Sequence, residues 1–263
     1  ITGNPNLNKE FGLAQGFDQY LDTMSIYKEK RHATALVNDA IKMLDERTQK
    51  ERKRPLYLQL MVVDGHLPRQ TTEEEVLKAQ RTGEDSEVLA RYRVMMERMD
   101  LGLKQLDVEL DQRGYTAENT VFVLIADHGE GLRSPLHQSG EHGSKLFPST
   151  VAIPWIMRGP RVASGHRIEG LASQVDLVPT LTGLVDLKPS PDLPGHDWSA
   201  QVKGKSSATD RNRAWSDTWF VANQRSAIWT STHMCHKDYT TVGSAECFHR
   251  LNDPLMKSGF VHE

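Results

Sequence analysis

The 263-residue chain is short of several things, and each shortage excludes a class of protein. It holds only two cysteines, Cys235 and Cys247, with eleven residues between them. Neither belongs to a CxxC pair or a metal knuckle, so a dithiol redox centre and a cysteine zinc site are excluded. The two form a local disulfide if the protein is exported, and are otherwise a pair of buried thiols. No apolar run approaches the roughly 20 residues that a membrane-spanning helix needs, and no lipidation signal is present. An excess of one charge is missing too: 32 basic against 35 acidic residues leave a formal net charge of -3. That balance gives no electrostatic footing for nucleic acid or an acidic membrane. Repeats and low-complexity tracts are absent. The chain starts at Ile1 without Met and without a signal peptide, so it is expected to be processed, truncated or one piece of a longer product.

What is present is an ordinary globular composition, long enough for one large domain or a domain with a small appendage. Ala33, Leu36, Val37, Ala40, Ile41 and Leu44 recur on one face of a helix. "PLYLQLMVV" (55 to 63) is a continuous β-prone run, expected to be a strand buried on both faces, and "DGHLPR" follows it. Residues 69 to 85 are polar and Thr/Glu-rich, which predicts an exposed loop. A long helix is expected over about 85 to 113, stopped by Gly114, with Met95, Met96 and Met99 as core filler. "TVFVLIADHG" (120 to 129) and "VAIPWIMRGP" (151 to 160) are two further strands. Ser173 and Asp176 have the spacing of a capping box before a short helix, with Pro179 in its first turn. Strands separated by crossovers long enough for helices predict an α/β fold, a mostly parallel sheet flanked by helices on both faces. Beyond residue 187 the texture changes to a Pro/Gly loop and then mixed aromatic and polar residues, predicting a small C-terminal antiparallel element. The expected division is therefore a core over 1–187 and a loop plus subdomain over 188–263.

Ligands in open α/β sheets bind beyond the carboxyl ends of strands. Three polar clusters fall there: Asp64 to His66, Asp127 to Glu130, and "RSPLHQSGEHGSK" (133 to 145). They gather His66, His128, His137 and His142, four of the eleven histidines, with Asp127 and Lys145. Asp127 beside His128 offers a hard oxygen and an imidazole nitrogen from one turn, with Gly129 permitting the bend. Alone, Asp-His-Gly also reads as an aspartate capping a turn beside an incidental histidine. His66, His142 and Lys145 taken singly are ordinary loop residues.

The order of these stretches resembles the sulfatase family of the alkaline-phosphatase-like superfamily. "GFDQYLD" (16 to 22) is similar to a stretch that follows the family's nucleophile region, and "DGHLPR" to its H-x-P turn. "NTVFVLIADHGE" (119 to 130) is similar to its metal-binding strand. "GEHGSK" (140 to 145), "VAIPWIMRGP", "LASQVDLVPTL" (171 to 181) and the closing "RLNDPL" (250 to 255) follow in family order. The resemblance covers residues 16 to 186 well and the remainder thinly. It implies that Asp127 and His128 ligate a divalent cation, calcium first, with zinc or manganese open. It implies that His66 and Lys145 contact the ester's sulfate, one of them assisting leaving-group departure, and it places His142 at the substrate. Glu130 and His137 match no family role. Such a site is suited to the reaction: a sulfate or phosphate ester gains negative charge on its oxygens as its bond breaks, and fixed cations stabilise that charge.

The resemblance also exposes gaps. Members carry a C/S-x-P-x-R motif whose Cys or Ser becomes a formylglycine nucleophile, and no such motif occurs in this chain. The paired N-terminal aspartates that complete the metal site are absent, and Asp64 belongs instead to the H-x-P strand. The chain is thus expected to be the C-terminal two thirds of a sulfatase-like fold, with the nucleophile supplied by a companion N-terminal chain or larger assembly. Three functions stay open: hydrolysis of a small-molecule or glycan sulfate ester, hydrolysis of a phosphoric or phosphonic ester, and an inactive structural or binding subunit. The family resemblance favours a secreted, periplasmic or organelle-lumen location.

Overall fold

The computed structural model describes residues 1–22, 31–80, 86–132, 142–188, 190–205, 211–220 and 224–262. The chain groups into two compact units, Ile1–Thr116 and Ala117–Glu263.

The first unit is helical. Helix α1 (Ala33–Asp45) buries Ala33, Leu36, Val37, Ala40 and Leu44, the face expected from their spacing. A short α2 (Gln49–Arg52) follows, held by a Thr48–Glu51 capping box. Residues 69 to 85 were expected to be an exposed loop, but α3 (Glu73–Gln80) lies within them. Its start is a reciprocal cap: Thr72 N donates to Glu75 Oε2 at 2.7 Å, and Glu75 N donates to Thr72 Oγ1 at 3.3 Å. Val76 and Ala79 then pack on Ala90 and Val94 of α4 (Glu87–Gln112). Gly114 follows α4 at φ 81°, as a helix-stopping glycine should. At Gly102 a Cβ would lie 2.9 Å from Ala33 Cβ, so glycine lets α1 approach α4 closely.

The expected buried strand over 55 to 63 is not formed as a ladder. Only Met61 bridges, in parallel, to Thr2, with Met61 N donating to Ile1 O and Gly3 N to Met61 O, both 2.9 Å. Leu56 and Tyr57 are exposed. An apolar run becomes a strand only when neighbouring backbone bonds its N–H and C=O groups, and among the described residues Ile1 to Gly3 do so at Gln59 and Met61.

The second unit carries two sheets. Strand β1 (Phe122–Ile125) pairs with β2 (Trp155–Arg158), antiparallel, in the register Phe122↔Arg158 to Ile125↔Trp155. Between them comes the one-turn α5 (Pro148–Val151). The Ser173–Asp176 capping box is present and leads into α6 (Leu177–Leu184), with Pro179 in its first turn. Helix α7 (Ser199–Val202) follows. Trp198 and Val202 pack with Leu184, and Trp155 and Met157 of β2 lie against them. The chain ends in a five-stranded sheet in sequential order: β3 (Arg213–Thr218), β4 (Arg225–Thr230), β5 (His233–Asp238), β6 (Ala245–His249) and β7 (Phe260–His262). Every neighbouring pair is antiparallel, so the C-terminal element was read correctly in kind. The expectation of a mostly parallel sheet is corrected: among the described residues both sheets are antiparallel. The reason is in the pairings. β1 finds β2, which returns beside it, and the 55 to 63 run gains only one bridge.

Cys235 and Cys247 face each other across β5 and β6 and form a disulfide, which resolves the alternative left open by the sequence. Leu146 and Phe147 plug the face of this sheet beside Ala214, Trp229, Met234 and Phe248. The segment immediately before them carries His142 and Lys145.

Candidate active site

The exit of β1 is fixed by close backbone contacts. Gly129 N donates to Thr150 O at 2.8 Å, and a Cβ on Gly129 would lie 2.2 Å from Ser149 O. Glycine is therefore required here by close backbone approach to α5; Gly129 is not among the positive-φ residues. The Gln174 side chain, from the turn before α6, donates Nε2 to Ala126 O at 2.9 Å and to Asp127 O at 2.6 Å. Asp127 and His128 are held on the surface by these bonds, both exposed.

His128 Nδ1 lies 2.8 Å from Gly129 O. A carbonyl only accepts, so Nδ1 donates to it, and Nε2 is the ring nitrogen on the Asp127 side. Metal-binding histidines commonly donate their second ring N–H to a backbone carbonyl in this way. His128 Nε2 stands 3.6 Å from Asp127 Oδ2. Two ligands at bond lengths of roughly 2.0–2.6 Å to one cation are about 3–4 Å apart when adjacent. The pair therefore fits two positions around one ion. Among the described residues no three His, Cys, Asp or Glu side chains converge as a metal cage.

His142 joins this edge. Its ring stacks on His128 with centroids 4.0 Å apart, and its Nδ1 lies 3.4 Å from both Glu130 carboxylate oxygens. The Glu130 side chain is 8% exposed, so its contact with His142 is sheltered from solvent. Sequence reasoning left Glu130 without a role. Its position two residues past His128 on an extended exit was the available signal, because alternate residues there share a face.

The loop that carries Lys145 is held through its own main-chain oxygens. Thr218 Oγ1 donates to Gly143 O, Arg225 Nη1 to Ser144 O, and Thr150 Oγ1 to Lys145 O at 2.7 Å. Thr218 and Arg225 are cross-strand partners in β3 and β4. Arg225 is buried and paired with Asp238 of β5. The hydroxyl and backbone N–H of Thr240, and then Arg225, hold the Asp238 carboxyl down at about 2. Gln174, Thr218 and Arg225 were missed in the sequence because each holds backbone oxygens 47 or more positions away.

In the first unit, His66 is exposed, and its Nδ1 lies 2.7 Å from Leu67 O. Asp64 is not a ligand in waiting. It is buried, its Oδ2 accepts from Ala33 N at 2.9 Å at the start of α1, and His32 Nδ1 lies 3.4 Å from Oδ1. Burial pushes its carboxyl above the ordinary value, and the neighbouring His32 opposes that shift. Gly65 beside it meets Tyr92 and Met96 of α4 so closely that a Cβ would lie 2.9 Å from Met96 Cε. His137 and Glu141 lie outside the described residues.

The exit of the antiparallel β1–β2 pair thus brings Asp127, His128, Glu130 and His142 together, and the Lys145 loop is held by Thr150, Thr218 and Arg225. The sequence profile of the sulfatase family matches residues 2–187, and the chain belongs to that family, whose members are sulfuric ester hydrolases. The uncharacterized sulfatase YidJ of Escherichia coli is 28% identical over 96 residues, 36% of this chain and 19% of that protein. A solved structure described as a sulfatase, yidJ from Bacteroides fragilis, superposes with a TM-score of 0.70 at 17% identity, covering 88% of this chain and 54% of that one. The phosphonate monoester hydrolase of Agrobacterium radiobacter gives a TM-score of 0.68 at 16% identity, covering 85% of this chain and 55% of that one. These likenesses are likenesses of fold, to structures of alkaline-phosphatase-like architecture. The chain spans little more than half the length of these solved structures.

Proposed function

We propose that this chain supplies the cation edge and the anion-contacting groups of a metal-dependent sulfuric ester hydrolase. The observation that carries the reading is Nε2 of His128, 3.6 Å from Asp127 Oδ2, with Nδ1 occupied by Gly129 O. Asp127 and His128 would hold a divalent cation, calcium by preference for hard oxygen donors, with zinc or manganese admitted by the imidazole. Bound there, the ion would act as a Lewis acid on an ester oxygen. Lys145 would meet the nonbridging oxygens and His142 would line the substrate side of the cation edge, while the acid role proposed for His66, in the first unit, rests on the family resemblance alone. A positioned acid of this kind typically adds roughly 10²–10⁴-fold in rate. The formylglycine motif does not occur in these 263 residues. The nucleophile would come from a segment or companion chain outside them. The disulfide supports an oxidising location, secreted, periplasmic or lumenal.

The phosphonate hydrolase among the structural neighbours supports a second reading, hydrolysis of phosphoric or phosphonic esters at the same edge. Both are tested on the full-length protein by metal analysis and by turnover of 4-nitrophenyl sulfate beside 4-nitrophenyl phosphate and phenylphosphonate. Asp127→Asn is expected to lower the preferred turnover by about 10²-fold or more while circular dichroism stays unchanged. Unchanged turnover in that variant would refute the metal role. Purified protein that holds no divalent ion and cleaves none of these esters would assign the chain to an inactive binding subunit.

A further inference from the structure

The segment that closes β3 exposes aromatic surface beside the lysine loop. Trp215 is 58% exposed, Trp219 75% and Phe220 57%, three large rings within six residues. Single exposed apolar side chains are common, but two consecutive exposed rings, Trp219 and Phe220, offer a candidate contact surface. Its placement is fixed by hydrogen bonds. The Thr218 hydroxyl donates to Gly143 O and accepts from Phe220 N at 3.3 Å. The Phe220 ring then lies on Gly143: a Cβ there would meet Phe220 Cγ at 3.2 Å. Gly143, at φ 82°, sits between His142 and Lys145.

We infer that Phe220 and Trp219 form a platform for sugar rings, which makes the substrate of this site a sulfated oligosaccharide. The inference rests on the sulfate-ester reading above. An aromatic face carries negative charge density and attracts the positively polarised axial C–H groups of a pyranose ring, whose hydroxyls remain in water at the edges. An exposed platform suits such a ligand, because burying one face of a sugar does not strand its polar groups. The cation edge and Lys145 supply the complement for its sulfate. Phe220 touches the loop itself and would receive the sulfated ring. Trp219 is the more exposed of the two and would receive a neighbouring sugar, a contact that a single aryl sulfate does not reach.

The test compares Trp219→Ala with the parent in the full-length protein, which keeps Phe220 and its packing on Gly143. Substrates are a panel of sulfated tetrasaccharides of galactan and glycosaminoglycan type, with 4-nitrophenyl sulfate alongside. The KM for the preferred tetrasaccharide should rise roughly tenfold, with kcat and the 4-nitrophenyl sulfate kinetics changed less than about twofold. Equal KM values in parent and variant, or parallel losses on both substrate types, would overturn the inference. If the parent cleaves nothing, the sulfatase reading fails, and titration calorimetry with the same tetrasaccharides decides the platform on its own. Binding that Trp219→Ala weakens upholds it, and absence of binding overturns it. Loss of concentration-dependent self-association in the variant, with no tetrasaccharide effect, would assign the patch to a second copy of this chain.

Discussion

Asp64 and Asp127 each follow an apolar run, and each precedes a glycine and a histidine closely, yet their environments differ. Asp127 is exposed at a strand exit with a histidine nitrogen turned toward it. Asp64 is buried, and it caps a helix whose own N-cap residue, His32, makes no side-chain cap. Asp64→Ala should cost about 1–2 kcal/mol of unfolding free energy, read from the urea midpoint at constant m-value. Asp64→Asn keeps the acceptor for Ala33 N and removes the buried charge. Because the folded carboxyl is pushed above its unfolded value, stability tied to its proton is full below about pH 4. That stability is lost as pH rises through the shifted value. The Asn variant should therefore gain on the parent as pH rises from about 4, in denaturation curves taken across pH 4 to 7; a flat difference would refute the assignment. The exposed pair at 127 and 128 was legible from motif order. The cap was not, because its partner lies 31 positions earlier.

At the scale of elements, what was legible was what is local. Helices α1 and α4 announce themselves by spacing, and the Thr72-x-x-Glu75 cap of α3 was in the sequence but masked by the polarity of its surroundings. The 55 to 63 run failed as a strand because ladder bonds come from elsewhere in the chain. The pairing of Arg225 with both Ser144 O and Asp238 is non-local in the same sense. It has a pH signature. The Asp238 carboxyl is held down at about 2 by Thr240 and Arg225, below its unfolded value near 4. Stability from Asp238 is thus fully present above about pH 4 and lost as pH falls toward 2. Asp238→Asn should be less stable than the parent at pH 6 and should flatten the loss between pH 4 and 2. An Asn variant with the parent's acid profile would show that the Arg225 grip does not depend on this carboxylate.

For the molecule as a whole, the two units carry different spectroscopic reporters. All five tryptophans, Trp155, Trp198, Trp215, Trp219 and Trp229, belong to the second unit, while the long helices α1 and α4 belong to the first. The disulfide joins β5 and β6 within the second unit across a separation of 12 residues. Closing a loop of that size restricts the unfolded chain by about 3 kcal/mol. Reduction should move the tryptophan-detected unfolding transition to lower denaturant and leave the transition seen at 222 nm nearly in place. Coincident shifts in both signals would show that the units unfold together. The family profile ends at residue 187, yet Thr218 and Arg225 beyond it hold the carbonyls of Gly143 and Ser144.

A loop gripped through its carbonyl oxygens is held by atoms that every amino acid possesses. Ser144 contributes only its carbonyl to the Arg225 contact, so its side chain can be replaced without undoing that bond. Gly143 has no such latitude, since its left-handed backbone and the Phe220 ring both require a bare α-carbon. The loop thus joins an invariant point to a tolerant one, and a lineage can retune what position 144 shows to a ligand while Lys145 stays anchored.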